Sequence, residues 1–170
     1  QHVIIACEEI SERKKAEARI RYLSYNDSLT GLYNRAFFDE ELLRLDSPRQ
    51  LPLSIIIGDV NGLKLVNDTF GHSAGDRLLQ NIAHILKHCC RSEDIVARWG
   101  GDEFAVLLPQ TSSKTAYCIC EQIRTACREG SHDPIQASIA LGVASKENLE
   151  EDINKIITEA ENIMYRNKLL

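Results

Sequence analysis

Residues 53–60, with the sequence LSIIIGDV, are β-branched and apolar over the length of one strand. Runs of this kind are typical of strands that are buried on both faces of a sheet. Two glycines, Gly100 and Gly101, stand between two further extended runs at residues 94–99 and 103–108. Tight hairpin turns need a positive φ, which glycine adopts easily, and the pair therefore predicts a β-hairpin. We expect a sheet that contains this strand and this hairpin.

The remaining pattern gives the order of helices and strands. Residues 135–143 alternate between apolar and polar positions, which predicts another strand. Helical patterns lie at residues 35–45, 76–90, 113–129 and 151–168, and a loop with Gly62, Gly71 and Gly75 precedes the second of them. From the first strand onward the order is β-α-β-β-α-β. It predicts an α+β fold of the split-βαβ type, ferredoxin-like or polymerase-palm-like, with helices on one face of an antiparallel sheet. The other face is then free for a functional site.

The first 26 residues differ from the rest. Residues 1–7 predict a short strand, and the highly charged segment that follows has Ala16, Ile20 and Leu23 at helical spacing. Two interpretations of this helix stay open: a solvated surface helix, or a linker helix that pairs with its copy in a dimer. The chain begins at Gln1 without a methionine, and we interpret it as a piece of a longer protein.

Length and charge exclude several classes of protein. The 170 residues fit one domain with a short appendage. With 25 acidic and 20 basic residues the net charge is −5, which argues against binding nucleic acid or an anionic membrane through bulk charge. A small anionic substrate is not excluded, because carboxylates recruit metal ions that invert the local charge. No apolar run approaches the ~20 residues of a membrane span.

The six cysteines show no C-x-x-C spacing, and neighbouring cysteines on a helix do not easily meet disulfide geometry. His84, His88 and Cys89 lie close together on a predicted helix, but a structural zinc site needs further ligands and the sequence offers no second cluster. We therefore expect reduced thiols and a cytoplasmic location.

Three carboxylates are the strongest candidates for chemistry. Asp59 closes the first strand, and Asp102 and Glu103 follow the two glycines of the hairpin. If these strands are neighbours, the three side chains converge at one edge of the sheet, where their mutual repulsion is costly unless cations are bound. Mg²⁺ prefers carboxylate oxygens together with substrate phosphates, an arrangement used in phosphoryl and nucleotidyl transfer. The alternative is a solvated acidic hairpin.

Four ordered segments of the chain resemble one known family. Residues 98–104 (RWGGDEF) contain the GGDEF signature of the diguanylate cyclases. Three further motifs of that family are matched by residues 27–35 (DSLTGLYNR), 59–64 (DVNGLK) and 67–76 (NDTFGHSAGD). The resemblance covers about residues 26–168 and implies a GGDEF domain at residues 26–170. The preceding residues 1–25 resemble the last strand of a PAS sensor domain and its signalling helix.

The resemblance implies an enzyme that condenses two GTP into cyclic di-GMP and two pyrophosphates. Asp59 and Asp102 would hold Mg²⁺ through their carboxylates, with two ions per site and Mn²⁺ as an alternative metal. Val60 would bind through its backbone carbonyl, and Glu103 would assist the metal site. Asp102 would also act as general base for the ribose 3′-hydroxyl, so that Asp102 and Glu103 are the predicted catalytic residues.

The same resemblance implies that residues 67–76 bind the guanine base. Asn67 and Asp76 would read its edge through an amide and a carboxylate. Asp76 has an alternative interpretation as the N-cap of the following helix, and both roles together are compatible. His72 belongs to this nucleotide-binding segment, where we expect it to organise the loop.

The phosphates would be bound by backbone groups and one lysine. The resemblance implies that the N–H groups near Gly62 and Leu63, together with Lys168, meet the phosphates. Gly100 and Gly101 would let the backbone pass close to the nucleotide, since neither carries a Cβ atom. The chain departs from the family pattern at Leu63, where phenylalanine is usual, and at Asn61, which replaces an aspartate.

Residues 91–94 (RSED) match the R-x-x-D inhibitory site of the family in sequence and in their offset from the GGDEF motif. There Arg91 would bind the cyclic di-GMP product, with Asp94 as its partner. The alternative is an ordinary surface ion pair between the two side chains, which contributes little to stability.

The partners implied are GTP, cyclic di-GMP and a second copy of the chain, with no nucleic acid and no membrane in this segment. Two domains would face each other, so that each 3′-hydroxyl attacks the α-phosphate held by the other copy. Two alternatives stay open. The first is a catalytically silent module that senses cyclic di-GMP or GTP, and the second is a dimerisation unit without a ligand.

Overall fold

The computed structural model describes residues 13–15, 17, 19–20, 22–130 and 135–168. Within these residues all the strands join one sheet, and helices connect every consecutive pair of strands except the third and the fourth. The strands are β1 (Tyr33–Asn34), β2 (Leu53–Val60), β3 (Ile95–Arg98), β4 (Glu103–Leu108) and β5 (Ile139–Lys146). The helices are α1 (Arg35–Leu45), α2 (Leu63–Phe70), α3 (His72–Cys89), α4 (Ser113–Glu129) and α5 (Ile153–Lys168).

The sheet is built around β2, as the sequence predicted. The strand order is β1-β3-β4-β2-β5, and β2 pairs antiparallel with β4 on one side and with β5 on the other. All eight residues of β2 are buried. The β3–β4 hairpin is confirmed as well, with Ile95 opposite Leu107 and Arg98 opposite Phe104.

Helices cover both faces of the sheet, so the prediction of helices on one face only is wrong. On one face α3 and α4 pack against Ile56 and Val106. On the other face α1 and α5 pack against Ile55 and Ile57. The reason is the alternation of large apolar side chains along β2, which point to both sides and need a cover on each. Neither face is left open for a functional site, so we expect such a site at the ends of the strands.

The segment predicted as a loop after β2 contains the helix α2 and the first turn of α3. Gly71, with φ of +83°, ends α2 and begins α3. The predicted helix at 76–90 therefore starts at His72, four residues earlier, and Asp76 lies inside it. The alternative interpretation of Asp76 as an N-cap is wrong for that reason.

Other boundaries differ by a few residues. The last strand begins at Ile139 instead of residue 135, and α5 begins at Ile153 instead of residue 151. The alternation predicted for this strand is confirmed, because every second residue from Ala137 to Val143 is buried in the same core cluster. The sequence missed β1, a two-residue strand parallel to β3, which makes the sheet mixed instead of purely antiparallel.

The described residues of the predicted linker helix, 13–15, 17, 19–20 and 22–25, are helical. Two apolar side chains of its predicted stripe are largely exposed, Ile20 at 68% and Leu23 at 56%. The strand predicted at residues 1–7, and Ala16 of the stripe, lie outside the described residues. None of the helices in the described ranges combines the length and the apolar character that crossing a membrane requires.

Candidate active site

The register of β2 and β4 brings the predicted metal-binding residues together. Asp59 lies directly opposite Glu103 in the antiparallel ladder. One residue further on, the Val60 N–H donates a hydrogen bond of 2.9 Å to the Asp102 carbonyl oxygen. Asp59 is buried, while Asp102 and Glu103 are half-buried. The backbone positions of the three acidic residues therefore lie at one end of the sheet, where the sequence placed them.

The hairpin turn forms, but not for the reason that the sequence suggested. Neither Gly100 nor Gly101 is among the described residues with positive φ. The turn is held by two backbone hydrogen bonds to the Glu103 carbonyl oxygen, from the Trp99 N–H at 2.8 Å and the Gly100 N–H at 3.2 Å. A Cβ atom on Gly100 would lie 2.5 Å from Glu103 Oε2, whereas Gly101 has open space at that position. Glycine at position 100 thus makes room for the Glu103 side chain.

Asp59 has a partner that the sequence assigned to another role. The Lys168 ammonium, at the end of α5, donates a 2.6 Å hydrogen bond to Asp59 Oδ1. That hydrogen bond raises the pKa of Lys168 above its ordinary value, and the charges of Asp59 and Asp102 act in the same direction against a smaller effect of burial. In this structure the predicted phosphate ligand therefore contacts the predicted metal ligand.

The donor chemistry at this strand end fits a hard divalent cation. Every predicted ligand is an oxygen, and the buried Asp59 carboxylate is held by a cationic group in the structure. Within the described ranges no three His, Cys, Asp or Glu side chains form a metal centre by themselves. Mg²⁺ is commonly bound by one or two carboxylates that share it with substrate phosphates. The arrangement thus suits a metal that completes its coordination with a phosphate.

The loop between β2 and α2 offers backbone groups beside the carboxylates. Gly62 adopts φ of +73° and is the N-cap of α2, with no side chain to occupy the first N–H groups of the helix. Helix N-termini attract anions through these groups and through the helix dipole. Asn61 ties this loop to the start of β5, since its N–H and its side-chain amide donate to Ser138 O and Oγ at 2.9 and 2.8 Å. Asn61 therefore links this loop to β5 through both its backbone and its side chain.

Asn67 and Gly75 form a contact between α2 and α3. The Asn67 Oδ1 atom is buried and has no hydrogen-bond partner among the described residues. A Cβ atom on Gly75 would lie 1.9 Å from that oxygen. Glycine at position 75 therefore leaves the space that the Asn67 amide occupies. Asp76 follows directly and is exposed, as is His72 at the start of α3, for which the structure gives no contact that would organise the loop.

Arg91 and Asp94 flank a tight turn before β3. The Asp94 carboxylate accepts a 2.7 Å hydrogen bond from the Arg91 backbone N–H, and only 6% of Asp94 is exposed. Burial raises the pKa of Asp94, and the hydrogen bond from Arg91 opposes that effect. The Arg91 side chain is exposed and forms no direct ion pair with Asp94 or with another described residue, although its charge acts to lower the pKa of Asp94. The alternative of an ordinary surface ion pair is therefore not observed.

A cavity of about 470 Å³ lies beside this turn. Its lining combines cationic, aromatic and polar groups: Tyr22, Asn26, Tyr33, Lys87, Cys90, Arg91 and Asp94. The second oxygen of Asp94, Oδ1, is buried without a hydrogen-bond partner in the described part of the chain.

Arg98 is a residue that the sequence analysis missed. Its guanidinium contacts both carboxylate oxygens of Asp27 at 3.2 Å and donates to the Gly101 carbonyl oxygen at 2.6 and 3.2 Å. Burial by itself raises the pKa of Asp27, but hydrogen bonds from Thr30 and the charge of Arg98 outweigh it and lower that pKa. Arg98 thus ties the turn that follows the N-terminal helix to the GGDEF hairpin. The signal was present, because the two residues begin two of the recognised motifs.

Comparison with known families gives one assignment for almost the whole chain. The family described as "Diguanylate cyclase, GGDEF domain" matches residues 24–169. The diguanylate cyclase DgcM of Escherichia coli is 33% identical over 168 residues, which are 94% of this chain and 40% of that protein. The chain therefore spans well under half of that relative.

Two solved structures show the likeness in three dimensions. One is the structure of the coiled coil and GGDEF domain of DgcB from Caulobacter crescentus in complex with c-di-GMP. It superposes with a TM-score of 0.87 and a sequence identity of 23%, and the matched region covers 98% of this chain and 92% of the DgcB chain. The GGDEF domain of YfiN, also called TpbB, from Pseudomonas aeruginosa has a TM-score of 0.73 at 35% identity and covers 85% and 88% of the two chains. The similarity to the DgcB structure concerns the fold alone, because the sequence identity is only 23%.

Proposed function

The chain belongs to the GGDEF-domain family of diguanylate cyclases, and from that membership we propose that it condenses two molecules of GTP into cyclic di-GMP and two pyrophosphates. One observation carries the proposal: the β2–β4 register brings Asp59, Asp102 and Glu103 to the same end of the sheet. This end lies beside the uncapped N-terminus of α2. Carboxylates and helix N–H groups at one place suit a metal-bound triphosphate.

The chemistry divides among the residues as follows. Asp59 and Asp102 hold the metal, together with the Val60 carbonyl oxygen and with help from Glu103. Bound Mg²⁺ neutralises phosphate charge and steadies the leaving group. The Asp102 carboxylate accepts the proton of the ribose 3′-hydroxyl, whose oxygen then attacks the α-phosphorus of the GTP on the facing copy. Pyrophosphate leaves, and the same step on the other copy closes the ring.

The substrate is positioned by groups outside the carboxylate cluster. We assign the phosphates to the N–H groups of Gly62 and Leu63 and to the Lys168 ammonium. The guanine edge falls to Asn67 and Asp76. The unpartnered Asn67 Oδ1 supports this assignment, because buried polar atoms normally have a hydrogen-bond partner and a base would supply one.

A homodimer belongs to this proposal, since one chain holds one GTP and the reaction needs two. Two exposed apolar residues of the N-terminal helix, Ile20 and Leu23, support pairing between copies through that helix. The GGDEF domain would then comprise residues 26–170, and the linker would set the geometry of the two half-sites.

The proposal is tested by incubating the chain, dimerised through a fused leucine zipper, with GTP and Mg²⁺ and separating the products by chromatography. Cyclic di-GMP should form with two pyrophosphates for each molecule of product. Asp102→Ala is the negative control, and Glu159→Gln, an exposed acid on α5, is the matched positive control. Binding of cyclic di-GMP or GTP without any turnover would support the silent sensor instead.

The Gly75→Ala variant is expected to lose affinity for a non-hydrolysable GTP analogue by at least about tenfold, since its methyl group displaces the Asn67 amide. Its thermal stability should stay level or rise, because alanine favours a helix over glycine by up to about 1 kcal/mol. Calorimetry on Gly75→Ala, Asn67→Ala and the double variant measures the effect. If the loss of binding free energy in the double variant equals the sum of the losses in the two single variants, the two substitutions act independently and this explanation is wrong.

Product inhibition is the second part of the proposal. The exposed Arg91 guanidinium beside a polar cavity suits the phosphates or guanine of cyclic di-GMP. Arg91→Ala should weaken cyclic di-GMP binding at least about tenfold in calorimetry, consistent with loss of a charged hydrogen bond. Arg77→Ala, an exposed arginine of α3, is the control and should bind as the wild type does. Equal affinity in all three proteins would refute the assignment.

A further inference from the structure

The contact between Lys168 and Asp59 affects how metal and nucleotide bind to the proposed site. Asp59 is only 7% exposed, so its carboxylate is largely removed from water. A buried carboxylate without a compensating partner is strongly unfavourable. The 2.6 Å hydrogen bond from Lys168 Nζ supplies that partner in the structure. The Lys168 ammonium therefore offsets the buried charge of Asp59.

The two ends of this ion pair differ in their freedom to move. The Asp59 side chain is 11% exposed and belongs to the central strand, whereas the Lys168 side chain is 38% exposed. The backbone before Lys168 is anchored, because the Asn167 side-chain amide donates a 2.7 Å hydrogen bond to the Leu141 carbonyl oxygen. A lysine head group on its flexible stem can then swing away while α5 stays in place.

Lys168 and a metal ion compete for the same carboxylate. The charge of Asp102, the second proposed metal ligand, also acts on Lys168. Two cations that share one carboxylate at contact distance repel each other, so a divalent ion on Asp59 disfavours Lys168 where it stands. A phosphate bound next to the site gives the displaced ammonium a new anionic partner.

We propose that Lys168 is the counter-ion of Asp59 in the empty site and that it releases Asp59 to the metal when a triphosphate takes over the ammonium. This inference rests on the proposed function. It makes metal and phosphate binding mutually dependent, since any gain in affinity that one gives the other is reciprocal. Free metal alone then binds poorly, and the metal enters with the nucleotide.

The first test measures Mn²⁺ binding to the chain without nucleotide, from the signal of free Mn²⁺ in electron paramagnetic resonance. Lys168→Met removes the competing charge and should bind Mn²⁺ about tenfold more tightly than the wild type, within the usual range of coupling between sites. Lys168→Arg keeps the charge and should stay close to the wild type. Lys155→Met, an exposed lysine of the same helix, is the control. Equal or weaker binding in Lys168→Met overturns the inference.

An Asp59→Asn variant separates this inference from the proposed function. If Asp59→Asn abolishes Mn²⁺ binding while Lys168→Met leaves it unchanged, the metal site stands and only the counter-ion role is wrong. If Asp59→Asn has no effect in any background, the metal site itself is wrong and the inference falls with it.

A second measurement needs no substitution and does not depend on the stability of a variant. The side-chain ammonium of Lys168 in ¹⁵N-labelled wild type should give a protected resonance in the absence of ligands. That resonance should persist in Mg²⁺ alone and shift when a non-hydrolysable GTP analogue is added with Mg²⁺. An unchanged resonance with both ligands bound overturns the inference.

Discussion

Replacing Asp102 by asparagine should lower the rate of cyclic di-GMP formation at least about a thousandfold, because the side chain would lose both its proton-accepting role and a metal ligand. The fold should survive, since Asp102 is half-buried and its contact with β2 is made by its backbone carbonyl oxygen, which the substitution keeps. The measurement is the initial rate of cyclic di-GMP release from GTP and Mg²⁺ by the dimerised chain.

Asp102→Glu serves as the matched variant, with the same charge on a longer side chain. If metal binding dominates, Asp102→Glu should keep more activity than Asp102→Asn. If the position of the base decides the rate, Asp102→Glu should be as inactive as Asp102→Asn. A rate within tenfold of the wild type for Asp102→Asn would contradict the assignment of this residue to the chemistry.

The Gly142→Ala substitution should have the largest effect on stability, a loss of about 3 kcal/mol or more in the free energy of unfolding. A Cβ atom at this position in β5 would lie 2.1 Å from the Ala160 carbonyl oxygen and 2.2 Å from the Met164 nitrogen. Both are backbone atoms of α5, which cannot move aside as a flexible side chain can. The helix would have to shift away from the sheet.

Urea unfolding followed by circular dichroism measures this loss. Gly101→Ala is the control, because it makes the same chemical change where no atom lies within 4 Å of the added methyl group. It should change the free energy of unfolding by less than about 1 kcal/mol. Similar stability for both variants would show that α5 does not need this close approach. Any displacement of α5 also moves Lys168, so Gly142→Ala should lose nucleotide affinity as well.

The sheet was the most predictable part of the molecule. Residues 53–60 predicted the central strand, the two glycines predicted the β3–β4 hairpin, and the alternation in residues 135–143 predicted β5. Each of these patterns is a local property of the sequence. The helices α1 and α5 on the second face of the sheet were not predicted, although the burial of β2 on both faces was expected. Which helix packs on which side depends on contacts between distant segments, such as α5 with β2, and no local pattern encodes them.

The site was predictable where motifs mark it and not where side chains meet across the fold. Asp59, Asp102 and Glu103 lie at one strand end, because the motifs place Asp59 near the end of β2 and the other two residues at the start of β4. The ion pair of Asp59 with Lys168 joins residues 109 positions apart, and nothing in either neighbourhood indicates it. Arg98 and Asp27 are 71 positions apart, and although each begins a recognised motif, no local pattern shows that the two side chains meet. The contact between Gly75 and Asn67 was not predictable either, because the sequence predicts a loop there and the contact forms only where α2 packs against α3.

The most direct measurement of the central claim is a crystal structure of the chain with Mn²⁺ and a non-hydrolysable GTP analogue, with anomalous data that locate the metal. We expect an anomalous peak within coordination distance of the carboxylates of both Asp59 and Asp102 and of a phosphate oxygen. Lys168 should have moved from Asp59 to the phosphates. A bound nucleotide whose metal contacts neither carboxylate, with Lys168 still on Asp59, would contradict the account.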